Sequence, residues 1–100
     1  MIVVIAEASI KPENADQVAS MLASTAATSR CDEGCLSYSF LRDVEDGTRF
    51  SSIETWESKA ALDAHMGQAH TQQLLGALPE LVTAPPVITV HEVSSSTPYG

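Results

Sequence analysis

Basic side chains are scarce in this chain. Five lysines and arginines stand against thirteen aspartates and glutamates, a formal net charge of -8 over 100 residues. That balance repels phosphate backbones and anionic membrane surfaces, so no nucleic acid is expected as a partner. Long apolar runs are missing too: the longest are strand length, far short of the roughly 20 residues a bilayer span needs, and no charged-then-apolar leader opens the chain. The expectation is a soluble, cytoplasmic protein with no membrane partner. Cysteine is limited to Cys31 and Cys35, spaced C-x3-C around Asp32, Glu33 and Gly34. Without a second cysteine or histidine pair at matching spacing, no zinc or other metal site is expected. Both thiols are read as reduced, with Cys35 packed at a strand start.

What is present suits one domain, over 1–94, followed by a short C-terminal tail over 95–100 that is rich in serine and carries a proline. A core of this size is adequate but marginal, and association is a common remedy. Ile2 to Ala8 is a β-branched run and predicts a buried strand. Lys11-Pro12-Glu13 opens a helix that fades near Arg30, with Val18, Met21, Leu22, Thr25 and Ala26 as its inward stripe. Asp32-Glu33-Gly34 is a turn. Leu36, Tyr38 and Phe40 then alternate with Ser37, Ser39 and Leu41 in a second strand, and Asp46-Gly47 turns it into a third, Thr48 to Trp56. Gly67 separates a short helix from a second helical stretch carrying His70, Leu74, Ala77, Leu78 and Leu81, which Pro79 distorts and Pro85-Pro86 ends. Val87 to Val93 is the last strand. The order β-α-β-β-α-β is that of an α+β, ferredoxin-like domain, a four-stranded antiparallel sheet with its helices on one face. Because the first strand is apolar on both faces, the bare side also calls for burial, and a homodimer that stacks two sheets supplies it.

The most informative stretch runs from Ile53 to His65, with His70 five positions on. Strand alternation puts Phe50, Ser52, Glu54 and Trp56 on one face. On the following helix Ala61, Leu62, His65 and Met66 obey the i, i+3, i+4 rule, so His65 points where Leu62 points, inward. A polar and aromatic strand face opposed by an inward histidine predicts a small enclosed pocket in place of a solid apolar core.

Glu33-Gly34-Cys35, Tyr38, Ile53-Glu54-x-Trp56-Glu57-Ser58, Leu62-x-Ala64-His65 and His70 together resemble the antibiotic biosynthesis monooxygenase (ABM) family, and within it the quinol monooxygenase branch. The resemblance covers Met1 to about Val93. It implies a dimeric α/β barrel with a pocket between sheet and helices in each subunit. It also implies oxidation of a small aromatic substrate, a hydroquinone or polyphenol, by dioxygen with no cofactor: neither metal, flavin nor haem. The polyketide-oxidising members are similar to a pattern with asparagine, tyrosine and arginine where this chain has Ser52, Leu62 and Gln72. Haem-degrading relatives carry asparagine, tryptophan and a ligating histidine where it has Glu7, His65 and Leu75. The quinol branch, which shares both histidines, is the better match.

Within that frame His65 is the candidate general base, since an imidazole titrates near working pH, and the alternative is a satisfied core histidine. Trp56 is assigned with it to the catalytic pair, as a stacking wall for the substrate or as a cap on the core. Ser52, Glu54, Tyr38 and His70 are the candidate substrate-binding residues. Glu54 is placed to orient His65 or to pair elsewhere, with Glu7 as a possible neighbour across the sheet. Three function classes stay open from sequence: the monooxygenase, an isomerase or proton-transfer enzyme acting on a small carbonyl compound, and a non-catalytic module that binds a quinone.

Overall fold

The computed structural model describes residues 1–100. In chain order the elements are β1 (Ile2–Ser9), a 3-10 turn (Pro12–Asn14), α1 (Ala15–Ser29), β2 (Cys35–Arg42), β3 (Arg49–Trp56), α2 (Lys59–Met66), α3 (Ala69–Ala77), a second 3-10 turn (Leu78–Glu80) and β4 (Val87–Glu92). The strands form one antiparallel sheet in the order β2-β3-β1-β4, which is the ferredoxin-like α+β arrangement. No helix is long and apolar enough to cross a membrane.

Local chemistry explains the boundaries. Pro12 sits in the turn that leads into α1, where a missing N–H costs nothing. Val18, Leu22 and Ala26, four apart, then bury one stripe of α1. The hairpin closes on Asp46, whose Oδ1 accepts from Thr48 N at 3.0 Å and Thr48 Oγ1 at 2.6 Å. Ser58 caps α2 by accepting from Ala61 N at 3.2 Å, and Gly67 ends it. Pro79 lies in the 3-10 turn that terminates α3.

Two apolar clusters join the helices to one sheet face. Ile10, Val18, Leu22, Phe50, Leu74 and Leu78 belong to the first, and Ile2, Val4, Ala26, Tyr38, Trp56 and Leu62 form the second. The opposite face carries no helix. There Ile5 pairs directly with Ile53, and both are exposed, as are Leu41 and Val87.

Two expectations need correction. Leu36 does not share the inward face with Tyr38, because a register shift between Cys35 and Ser37 turns it out and leaves it exposed. Glu7 is no neighbour of Glu54. In the β1–β3 register Val4 faces Glu54, whereas Glu7 faces Ser51, an odd number of residues along and therefore on the other side of the sheet.

Candidate active site

The turn after α1 brings a carboxylate to the inward histidine. Asp32 N donates to Ser29 O and Cys35 N donates to Asp32 O, winding the chain tightly between helix and strand. Gly34 follows at φ +81°, in the left-handed region, and a side chain there would collide with Cβ of Ala61 on α2. Glu57 N donates to Gly34 O at 2.9 Å. The turn is thus pressed against the start of α2, and Asp32 lies alongside the histidines that follow.

His65 Nδ1 is 2.7 Å from Asp32 Oδ2, and His70 Nε2 is 2.9 Å from the same oxygen. A carboxylate bonds an imidazole nitrogen that carries a proton, so the contact sets His65 as the Nδ1–H tautomer. Thr71 Oγ1 lies 3.3 Å from that nitrogen as a secondary partner. Nε2 of His65 has no protein partner, yet it is not among the sealed, unsatisfied polar atoms of the interior, so it meets open space. His65 is among the residues that line the cavity between sheet and helices. The side chain is otherwise only 2% exposed, and Asp32 only 11%.

Glu54, Ser52 and Trp56 form a separate hydrogen-bonded group. Ser52 Oγ donates to Glu54 Oε2 at 2.9 Å, and Trp56 Nε1 donates to Glu54 Oε1 at 3.0 Å. Each oxygen of this buried carboxylate therefore has a donor, which its burial demands. Trp56 is fully buried, and its indole lies against the imidazole of His65 with centroids 4.5 Å apart and planes 33° from parallel. Tyr38 meets His65 edge-on at 5.4 Å and Trp56 at 6.3 Å. Burial pushes the Tyr38 phenol well above its usual range, and the nearby Glu54 charge adds to this. Tyr38 consequently keeps its proton and remains a donor.

A cavity of about 300 Å³ lies between sheet and helices, bounded by members of both apolar clusters. Val4, Ala6, Phe50, Leu62, Met66 and Leu74 supply apolar walls, and Tyr38, Ser52, Glu54 and His65 line the cavity with them. The pocket is open where an enclosed one was expected. Exposed Ile88 and Val90 of β4, and exposed Lys59 and Asp63 of α2, stand on its rim, because no helix covers β4.

Four of the six site residues expected from sequence, His65, Tyr38, Ser52 and Glu54, therefore share one cavity. Trp56 does not line it and stands behind His65. His70 is also off the wall, bound to Asp32. Glu54 does not orient His65; Asp32 does. Asp32 and Thr71 are the residues that sequence reasoning missed. Asp32 lies 33 positions from His65, so no local spacing signals the contact, and it reads as an ordinary turn residue. The fold also gathers Asp32, His65 and His70 from separate elements, a grouping that no local spacing signals.

A family model described as "Antibiotic biosynthesis monooxygenase" matches residues 1–76. The Bacillus subtilis protein named "Putative monooxygenase YcnE" is 32% identical over 94 residues, covering 94% of this chain and 99% of that protein. A Synechocystis protein named as uncharacterized is 27% identical over 95 residues; this chain, 95% of which is matched, spans only 65% of its length. Among solved structures, the Deinococcus radiodurans protein described as "a putative antibiotic biosynthesis monooxygenase" superposes with a TM-score of 0.93 at 26% identity, covering 100% of this chain and 99% of that one.

Proposed function

The chain belongs to the antibiotic biosynthesis monooxygenase family, and on that footing we propose that it oxidises a small hydroquinone or polyphenol with dioxygen, without a cofactor. The observation that carries this reading is the pairing of His65 with Asp32 at 2.7 Å, which leaves Nε2 of His65 free at the wall of a mostly apolar cavity. An imidazole held in one tautomer by a carboxylate is the arrangement of a general base, and a hydroquinone is a substrate whose oxidation begins with loss of a proton.

In this reading Nε2 takes the phenolic proton. The resulting phenolate is electron-rich enough to pass one electron to dioxygen, and the radical pair recombines with formation of a carbon–oxygen bond. The peroxide anion takes the proton back from the imidazolium of His65. Nε2 then removes the ring hydrogen at the newly oxygenated carbon as the O–O bond breaks, and the hydroxide that departs takes up this proton to leave as water. One oxygen atom ends in a hydroxyquinone and one in water, so hydroquinone plus dioxygen balances with no external reductant. Ser52, whose O–H is spent on Glu54, offers lone pairs to a second substrate hydroxyl, and Tyr38 adds an aromatic wall. The apolar walls hold the ring and exclude water.

The working form in this reading is a homodimer that covers the Ile5–Ile53 face, and a monomer mass by light scattering at micromolar concentration would count against it. The reaction itself is tested with labelled oxygen gas and a panel of hydroquinones, using chelator-treated protein. Product carrying one labelled atom per turnover is expected. Isomerised product formed without oxygen uptake, or tight binding with no product at all, would reject the monooxygenase.

A further inference from the structure

Asp32, His65 and His70 each offer one ligand atom, and these atoms all lie within 4.8 Å of one another. Both imidazole nitrogens converge on a single carboxylate oxygen, at 2.7 and 2.9 Å, held there by protons. A small cation bound to nitrogen and oxygen at about 2.0–2.2 Å spaces its ligands roughly 3.0–3.5 Å apart, so to admit one Asp32 Oδ2 withdraws by about half an ångström and the two imidazole nitrogens, within 4.8 Å of each other, settle to that spacing. Access exists from the solvent side, because the His70 side chain is 19% exposed while His65 is 2%.

We propose that Asp32, His65 and His70 form a binding site for a divalent first-row transition ion such as zinc. Two imidazoles and one carboxylate suit such ions, whereas calcium and magnesium favour oxygen-only shells. The Asp32 carboxylate offsets part of the charge, and the acidic surplus of the chain favours cation entry. Water completes the coordination, with Thr71 Oγ1 beside His65 Nδ1 at 3.3 Å to hydrogen-bond it.

The ion and the Asp32 hydrogen bond compete for the same atom. A neutral imidazole binds a metal through a lone pair, so Nδ1 of His65 gives up its proton and Nε2 takes one. This consequence rests on the proposed role of His65: an Nε2 that carries a proton is no longer a base, and the bound ion inhibits the oxidation.

Untagged full-length protein, stripped with chelator, is dialysed against zinc in the wild type and in a Cys31→Ser/Cys35→Ser variant that removes both thiols. One ion per chain is expected in each, with binding weaker by about tenfold or more in His70→Ala, checked for fold by circular dichroism. In the wild type, cobalt should give a visible ligand-field spectrum without a thiolate charge-transfer band. It should also quench Trp56, the only tryptophan, whose ring is 4.5 Å from that of His65. Zinc that fails to bind, binds equally to His70→Ala, or is lost with the thiols would overturn the site. Zinc that binds as described yet leaves oxygen uptake untouched would uphold the site and count against His65 as the base, so the two readings fail separately.

Discussion

His65 and Asp32, 33 positions apart in the chain, meet at 2.7 Å, and this contact leaves the outer nitrogen of a buried imidazole free toward a cavity. Asp32→Asn removes the charge that holds the tautomer. Turnover should fall by about 10² to 10⁴-fold, as for loss of the base itself. Combining it with His65→Ala should add little, because the two side chains act as a unit. Additive losses in the double variant would show that Asp32 acts independently.

Gly34 fixes where Asp32 sits. Its φ of +81° and the collision of any side chain with Ala61 predict that Gly34→Ala destabilises the fold by about 2–4 kcal/mol, the sum of backbone strain and overpacking. A second change, Ala61→Gly, relieves the collision but not the strain and should restore part of the loss. Denaturant midpoints of the two variants measure this, and an unaltered midpoint for Gly34→Ala would refute the close packing.

Trp56 stands behind His65 and off the cavity wall. Trp56→Phe should therefore lower kcat with little change in KM, and should cost about 1–3 kcal/mol of stability by taking the indole donor from Glu54. A raised KM with unchanged kcat would restore the substrate-stacking role that the sequence suggests.

Tyr38 gives the alkaline limit of stability. Its phenol is held above the usual range, so below that range both folded and unfolded chains are neutral and the contribution is intact. As pH rises past it, the unfolded chain ionises while the folded one does not, and stability falls. In a Tyr99→Phe background, where Tyr38 is the only tyrosine, phenolate absorbance should appear together with unfolding. Titration of Tyr38 with the fold intact at the ordinary phenol pH would contradict its burial.

The elements were legible because each has a local cause. Alternation in β3 placed Ser52, Glu54 and Trp56 on the inner face, and the helical stripe placed His65 opposite them. Contacts that depend on distant parts of the chain were not legible. Strand parity decides that Glu7 faces away from Glu54, and a bulge decides that Leu36 faces out. The Asp32 contact needs the α1 turn, the Gly34 conformation and the α2 start all at once. Glu54 illustrates the limit well: sequence located it correctly but could not tell that its oxygens serve Ser52 and Trp56 and leave His65 to Asp32.

The most direct measurement of the central claim is oxygen uptake by chelator-treated protein with saturating hydroquinone, compared between wild type and a folded His65→Ala variant across pH. Loss of His65 should lower the rate by about 10² to 10⁴-fold at neutral pH, and the deficit should shrink as pH approaches the phenolic pKa of the substrate itself, where the base is no longer needed. Equal rates for the two proteins at every pH would contradict the assignment of His65 as the base.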